Sequence, residues 1–240
     1  MTLVGRLSAR CALSRWLARL CLAAAVSVAG SVSGAASSAA SERPVRLLAF
    51  GDSLVHGYGL AAGTTFPEQL EAALRARGFA VEVINGGNSG DTTAAARARL
   101  AWSLSPRPDA ALVELGANDG LRGLDPAATY DNLDAILRHL AAEGVSALLA
   151  GMLAPRNLGA EYAAEFDAVF PRLAEVHGIG YYPFFLDGVA LRPALNQADG
   201  IHPNAAGVAV IVERILPSVI HLLETATGNA AGSAEASESG

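Results

Sequence analysis

From Val45 to Glu224 the chain alternates short, nearly unbroken apolar runs with longer stretches whose apolar residues recur every three or four positions. The short runs are VRLLAF (45–50), AVEVIN (80–85), AALVEL (110–115), SALLAGM (146–152) and GIGYYPFF (178–185). Continuous apolar strands belong to a parallel sheet covered on both faces, because a strand with one wet face alternates. The longer stretches read as helices. In FPEQLEAALRAR, Thr65 and Glu68 have capping-box spacing before the run and Gly78 supplies the stop after it. TYDNLDAILRHLAAEG aligns Leu133, Ile136, Leu137 and Leu140 on one face and ends at Gly144. EYAAEFDAVFPRLAEVHG does the same with Phe166, Val169, Phe170 and Leu173, and Pro171 is expected to kink or break it. A last helix is expected from about Asn204, with Pro217 in its course. Strand and helix repeated five times predict an α/β fold: a three-layer α/β/α sandwich with a five-stranded parallel sheet, flavodoxin-like in layout.

The two ends lack this rhythm. Residues 1–40 begin with scattered arginines (Arg6, Arg10, Arg15, Arg19), pass through LCLAAAVSVAG and finish in small residues, the order of a secretory signal peptide. The apolar part falls short of the roughly 20 apolar residues of a membrane span, and cleavage after Ala36 or after Ala40 satisfies the small-residue rule equally. The arginines are not adjacent, which gives a twin-arginine route no support. Both cysteines, Cys11 and Cys21, lie inside this leader, so an exported domain is expected to be held by its core without disulfides. At the other end TATGNAAGSAEASESG (225–240) has no large apolar residue and reads as a disordered tail, leaving 41–224 as the folded domain. The net charge of −6 is spread out, and no basic block points to nucleic acid. The expected product is a periplasmic or secreted protein with no stable membrane anchor once the leader is gone, and a monomer.

A doubly wound sheet places ligands at the carboxyl ends of its strands. Four clusters follow the apolar runs or precede the last helix: GDS (51–53), NGGNSGDTT (85–93), GAND (116–119) and DGIHP (199–203). Singly, each has a plain reading as a helix cap or a tight turn. Together they offer a chemistry. A serine hydroxyl is a weak nucleophile until a base takes its proton, and the base works best when a carboxylate fixes its tautomer. Asp199 and His202, three residues apart, supply such a pair from one turn. The oxyanion formed by attack needs donors fixed in advance, and the backbone N–H of Ser53, the N–H of Gly90 and the Asn118 amide qualify.

The blocks FGDSL, NGGNSGDTT, VELGANDGLRG and DGIHP, in this order across nearly the whole domain, resemble those of the SGNH or GDSL-type hydrolases, most of all the bacterial branch of thioesterase I, lysophospholipase L1 and arylesterase. The resemblance implies the SGNH hydrolase fold, Ser53 as nucleophile, His202 as general base and acid, and Asp199 as its orienting carboxylate. It also implies Ser53, Gly90 and Asn118 as the oxyanion hole; no cofactor is expected, and His56, His202 and Asp199 have no recognised metal-ligand spacing, so no metal is expected. Ala117 departs from the glycine that close relatives often carry at that place. The segment MLAPRNLGAEY (152–162) resembles the mobile loop bordering the acyl site in this branch.

The activity expected is hydrolysis of a small-molecule acyl ester or thioester, of arylesterase, lysophospholipase or acyl thioesterase type. A carbohydrate acetylesterase is the alternative within the enzyme class, weakened by a single tryptophan outside the leader, Trp102. A flavodoxin-like module that binds an anion without covalent chemistry is the alternative outside it. His56, one turn beyond Ser53, is a second candidate base; His139, His177 and His221 fall on amphipathic helices and read as solvated. Asp52 and Asp119 read as holding their turns.

Overall fold

The five apolar runs form five strands in the computed structural model, which describes residues 43–238: β1 (Val45–Gly51), β2 (Val81–Gly87), β3 (Ala110–Glu114), β4 (Ser146–Ala150) and β5 (Gly180–Tyr182). All pairings are parallel, in the order β2-β1-β3-β4-β5. Burial explains the uninterrupted apolar character: β3 is buried at every position and β1 at its last five, while the edge strand β2 is only partly covered. The leader expected over residues 1–40, with its two cleavage sites, lies outside the described residues.

The helices are α1 (Ser53–His56), α2 (Phe66–Ala76), α3 (Thr93–Ser103), α4 (Ala117–Leu121), α5 (Pro126–Ala142), α6 (Ala160–His177) and α7 (Ala205–Glu238). The chain steps from β1 outward to β2, then reverses across β1 to β3, β4 and β5. Right-handed crossovers in opposite directions put helices on opposite faces. Accordingly α2 packs with α7, while α5 packs with both α3 and α6. The reversal opens a crevice at the carboxyl ends of β1 and β3, where GDS and GAND emerge. Phenylalanines fill the layers: Phe66 of α2 meets Phe185, just beyond β5, edge to face at 5.0 Å, and Phe166 meets Phe170 at 5.6 Å. Full burial of each such side chain contributes about 1.5–3 kcal/mol.

Three details refine the sequence reading. Pro171 does not break α6: it removes the N–H that would bond to Asp167 O, yet the stripe Phe166, Val169, Phe170 and Leu173 is buried on both sides of it, and the helix continues. The expected disordered tail is also different, since α7 runs on through residues 225–238. Ala226 is still buried, and the hydroxyls of Thr225 and Thr227 bond back to the carbonyls of His221 and Leu223. The alanines and glutamates of this stretch give no core signal yet favour a helix, against glycines that do not. The short helices α1 and α4 carry no hydrophobic periodicity, and only the cap or turn residues GDS and GAND mark where they begin. Over Ala205–Gly228 α7 is long and apolar enough to resemble a membrane span, but Ile211, Ile215, Val219 and Leu223 are turned into the core.

Candidate active site

β1 ends at Gly51, and Asp52 caps the next helix by accepting the Leu54 N–H at 3.0 Å, which leaves Ser53 as the first helical residue. A first-turn N–H has no partner within its own helix, so the Ser53 N–H is a free donor by position. Its hydroxyl lies 2.9 Å from His202 Nε2, contributed by a loop 149 residues downstream. His202 Nδ1 in turn lies 2.7 Å from Asp199 Oδ2. The other oxygen of Asp199 accepts the N–H groups of His202 and Ile201, both at 3.0 Å, so the turn itself aims the carboxylate. That backbone bond from His202, then the His202 ring and the Ile201 N–H, pull the Asp199 carboxyl from 3.8 down to about 2. It stays ionised throughout the working range of an enzyme.

The loop is stitched on both sides. Asn196 bridges Pro203 in antiparallel fashion, and Gln197 N–H donates to His202 O at 2.7 Å. The Gln197 amide donates to Tyr58 O at 2.7 Å, and the Tyr58 ring lies against the His202 ring with centroids 4.7 Å apart. His56, the other candidate base, points elsewhere: it is exposed and its Nδ1 lies 3.3 Å from Gly87 O.

Asn118 stands in the first turn of α4. The left-handed residue of that turn is Gly116, at φ 110, so Ala117 sits in ordinary helical backbone and its methyl is accommodated. One N–H of the Asn118 amide donates to Asp52 Oδ2 at 3.0 Å, which leaves the second to face a ligand. Asp119 reaches further than the turn reading allowed: it accepts from Thr93 N–H at 2.9 Å and the Thr93 hydroxyl at 2.6 Å, pinning α4 to the start of α3. Gly90 has φ 85, and nothing lies within 4 Å of where its Cβ would be. Its carbonyl accepts from Arg122 at 2.9 Å, and the next residue, Asp91, pairs with Arg99 at 2.5 Å.

Ser53, Asn118 and His202 line one cavity of about 550 Å3; Asp199 stands behind His202, and Gly90 is not among the lining residues. The walls are mostly apolar, with Leu54, Met152, Leu153, Phe184 and Ile201 among them. The expected border segment is present: residues 152–157 form one wall, held from α6 by Asp167, which accepts the Ala154 N–H at 2.8 Å and pairs with Arg156 at 2.7 Å. The sequence reading missed Tyr58, Gln197, Arg99 and Glu114. Glu114 had a signal, being a lone acid inside an otherwise apolar run.

Residues 49–210 match the GDSL-like lipase/acylhydrolase family. An arylesterase of Vibrio mimicus is 38% identical over 181 residues, covering 75% of this chain and 90% of that protein. Thioesterase 1/protease 1/lysophospholipase L1 of Escherichia coli K12 is 40% identical over 159 residues, 66% of this chain and 75% of that protein. The crystal structure of AlinE4, an SGNH-hydrolase family esterase, superposes with a TM-score of 0.64 at 48% identity, covering 75% of this chain and 97% of that one. A parallel sheet with a serine, a histidine and an aspartate in hydrogen-bond sequence at its crevice, and likeness to esterases over most of its length, make the chain a member of the GDSL-like lipase/acylhydrolase family.

Proposed function

We propose that the protein is a serine esterase that cleaves small carboxylic esters, and thioesters of similar shape, without a cofactor. The observation that carries this is the chain of contacts Ser53 Oγ to His202 Nε2 to Asp199, opening into an apolar cavity. With His202 Nε2 unprotonated, it takes the Ser53 proton as Oγ attacks the substrate carbonyl carbon. Charge develops on the carbonyl oxygen, where the Ser53 N–H, the Gly90 N–H and the second N–H of Asn118 are the donors assigned to meet it. The imidazolium, stabilised by Asp199, then passes its proton to the departing alkoxide or thiolate, and an acyl group remains on Ser53. Water repeats the sequence with His202 as base and frees the acid.

The walls set the substrate class. A groove with few polar groups beyond the reacting ones favours an alkyl acyl chain or an aryl group over a sugar, which needs planar polar partners. This ranks arylesterase and lysophospholipase activity above carbohydrate acetylesterase activity. The leader-like stretch supports export to the periplasm or beyond, where acyl thioesters of the cytosol are scarce. Fluorophosphonate treatment followed by intact-mass analysis and peptide mapping is the test. One adduct on Ser53, absent after His202→Ala, is expected; a folded chain that takes no adduct would move the anion-binding module to the front.

A further inference from the structure

β3 is buried along its whole length, and its last residue is Glu114, at 0% exposure. No step of the proposed reaction uses it. Its carboxyl lies under the turn that carries the nucleophile: Oε2 accepts the Asp52 N–H at 3.3 Å, and a methyl built on Gly51 would come within 2.6 Å of that oxygen. Oε1 is buried with no hydrogen-bond partner. An ionised carboxylate held by one long N–H contact, with its other oxygen buried and unpartnered, carries a heavy desolvation penalty.

The group beside it is another carboxyl. Asp52 is also at 0% exposure, its Oδ1 taking the Leu54 N–H and its Oδ2 the Asn118 amide, both at 3.0 Å. The other charged groups nearby leave Glu114 uncompensated. Arg99 spends its guanidinium on Asp91 and on the carbonyls of Gly51 and Gly86, and stacks on Phe50; Asp91 adds negative charge from the turn before α3, and His202 faces Asp52 from its loop. Two full negative charges side by side, directly behind an amide meant to steady a third, would oppose the developing oxyanion.

We propose that Glu114 and Asp52 share one proton, which makes Glu114 a positioning residue: it keeps the Asp52 carboxylate on the Asn118 amide while the pair carries one negative charge instead of two. Glu114 supplies the proton and Asp52, with two N–H donors, keeps the charge. Burial first, and the neighbouring Asp52 charge second, push the Glu114 carboxyl well above the ordinary range, and burial lifts Asp52 to about 6. The role rests on the esterase reading, because it acts through Asn118; the shared proton itself does not.

Two variants and one spectrum test it. Glu114→Gln keeps the shape and places an N–H where the proton is held, so kcat is expected within about threefold of the parent and KM unchanged. Glu114→Leu removes the donor and frees Asp52 to turn, and kcat is expected to fall roughly tenfold or more with KM little altered, a fraction of the loss from deleting an oxyanion donor outright. The infrared difference spectrum between the parent and Glu114→Gln at neutral pH should contain the carbonyl band of a protonated carboxyl. Absence of that band, with Glu114 ionised, overturns the shared proton. A folded Glu114→Gln that loses as much kcat as Glu114→Leu, or a loss carried in KM, overturns the positioning role. If the leucine variant does not fold, the glutamine variant and the spectrum still decide. Fluorophosphonate labelling of the parent keeps the two failures apart: an unlabelled parent ends the esterase reading and the role through Asn118, whatever the spectrum says of the pair.

Discussion

Among the described residues, two histidine–aspartate pairs have nearly equal length. His202 Nδ1 lies 2.7 Å from Asp199, and His177 Nε2 lies 2.8 Å from Asp134. Distance alone does not separate them; surroundings do. His202 keeps its second nitrogen 2.9 Å from a hydroxyl that lines a cavity of about 550 Å3. His177 is the last residue of α6, its partner is on α5, and Asp134 is also engaged by Arg138 at 2.8 Å. One pair sits on a loop at the carboxyl ends of the strands, the other bridges two helices with no nucleophile beside it. Under the proposed function the same bond serves catalysis in one place and braces two helices in the other.

Breaking the pairs one at a time should expose the difference. Replacing Ser53 by Ala, which leaves both histidine pairs intact, is expected to lower kcat by about a millionfold with folding unchanged; a retained esterase rate, measured with an aryl ester, would remove the basis for ranking the pairs. Asp199→Asn should follow with a loss of roughly ten-thousandfold, from a misplaced tautomer. Its effect on stability has a definite sign. The Asp199 carboxyl is lowered on folding from 3.8 to about 2, so its stabilising contribution is complete above 3.8 and disappears as pH falls towards 2. Acid-unfolding curves of the parent and Asp199→Asn should therefore converge at the acid end. Asn118→Ala is expected to reduce kcat about a hundred- to a thousandfold while KM changes little. His177→Ala sharpens the contrast from the other side: a loss of about 1 kcal/mol in denaturant unfolding, with kcat/KM unaltered. An activity loss in that variant comparable to Asp199→Asn would mean that the brace reaches the site.

His177 also shows where the sequence stops being legible. Its amphipathic helix predicted a solvated side chain, yet it is largely covered, at 12% side-chain exposure, by a partner 43 residues away. A hydrophobic period locates a helix and its buried face, but it says nothing about which polar residue on the flank meets which across a helix pair. Ser53, Asp199 and His202 stood out in the sequence because the blocks FGDSL and DGIHP flank expected elements in a fixed order, and the structure brings the three side chains within hydrogen-bond reach. Glu114 left only a charge out of place. The continuation of α7 past residue 224 was hidden for a different reason: alanine and serine mark neither a core nor a turn, and helix propensity alone is a weak prior.

The separation of 149 positions between Ser53 and His202 has a consequence in time. The hydroxyl is among the first parts of the domain to leave the ribosome, and the base and its carboxylate arrive together on one of the last turns. A nascent chain therefore contains a serine with nothing to activate it. Under the proposed assignment the chain is chemically silent until β1 and the loop before α7 have met, so reactivity towards a serine-directed reagent doubles as a completion signal for folding, and a chain whose synthesis stops before residue 202 is inert.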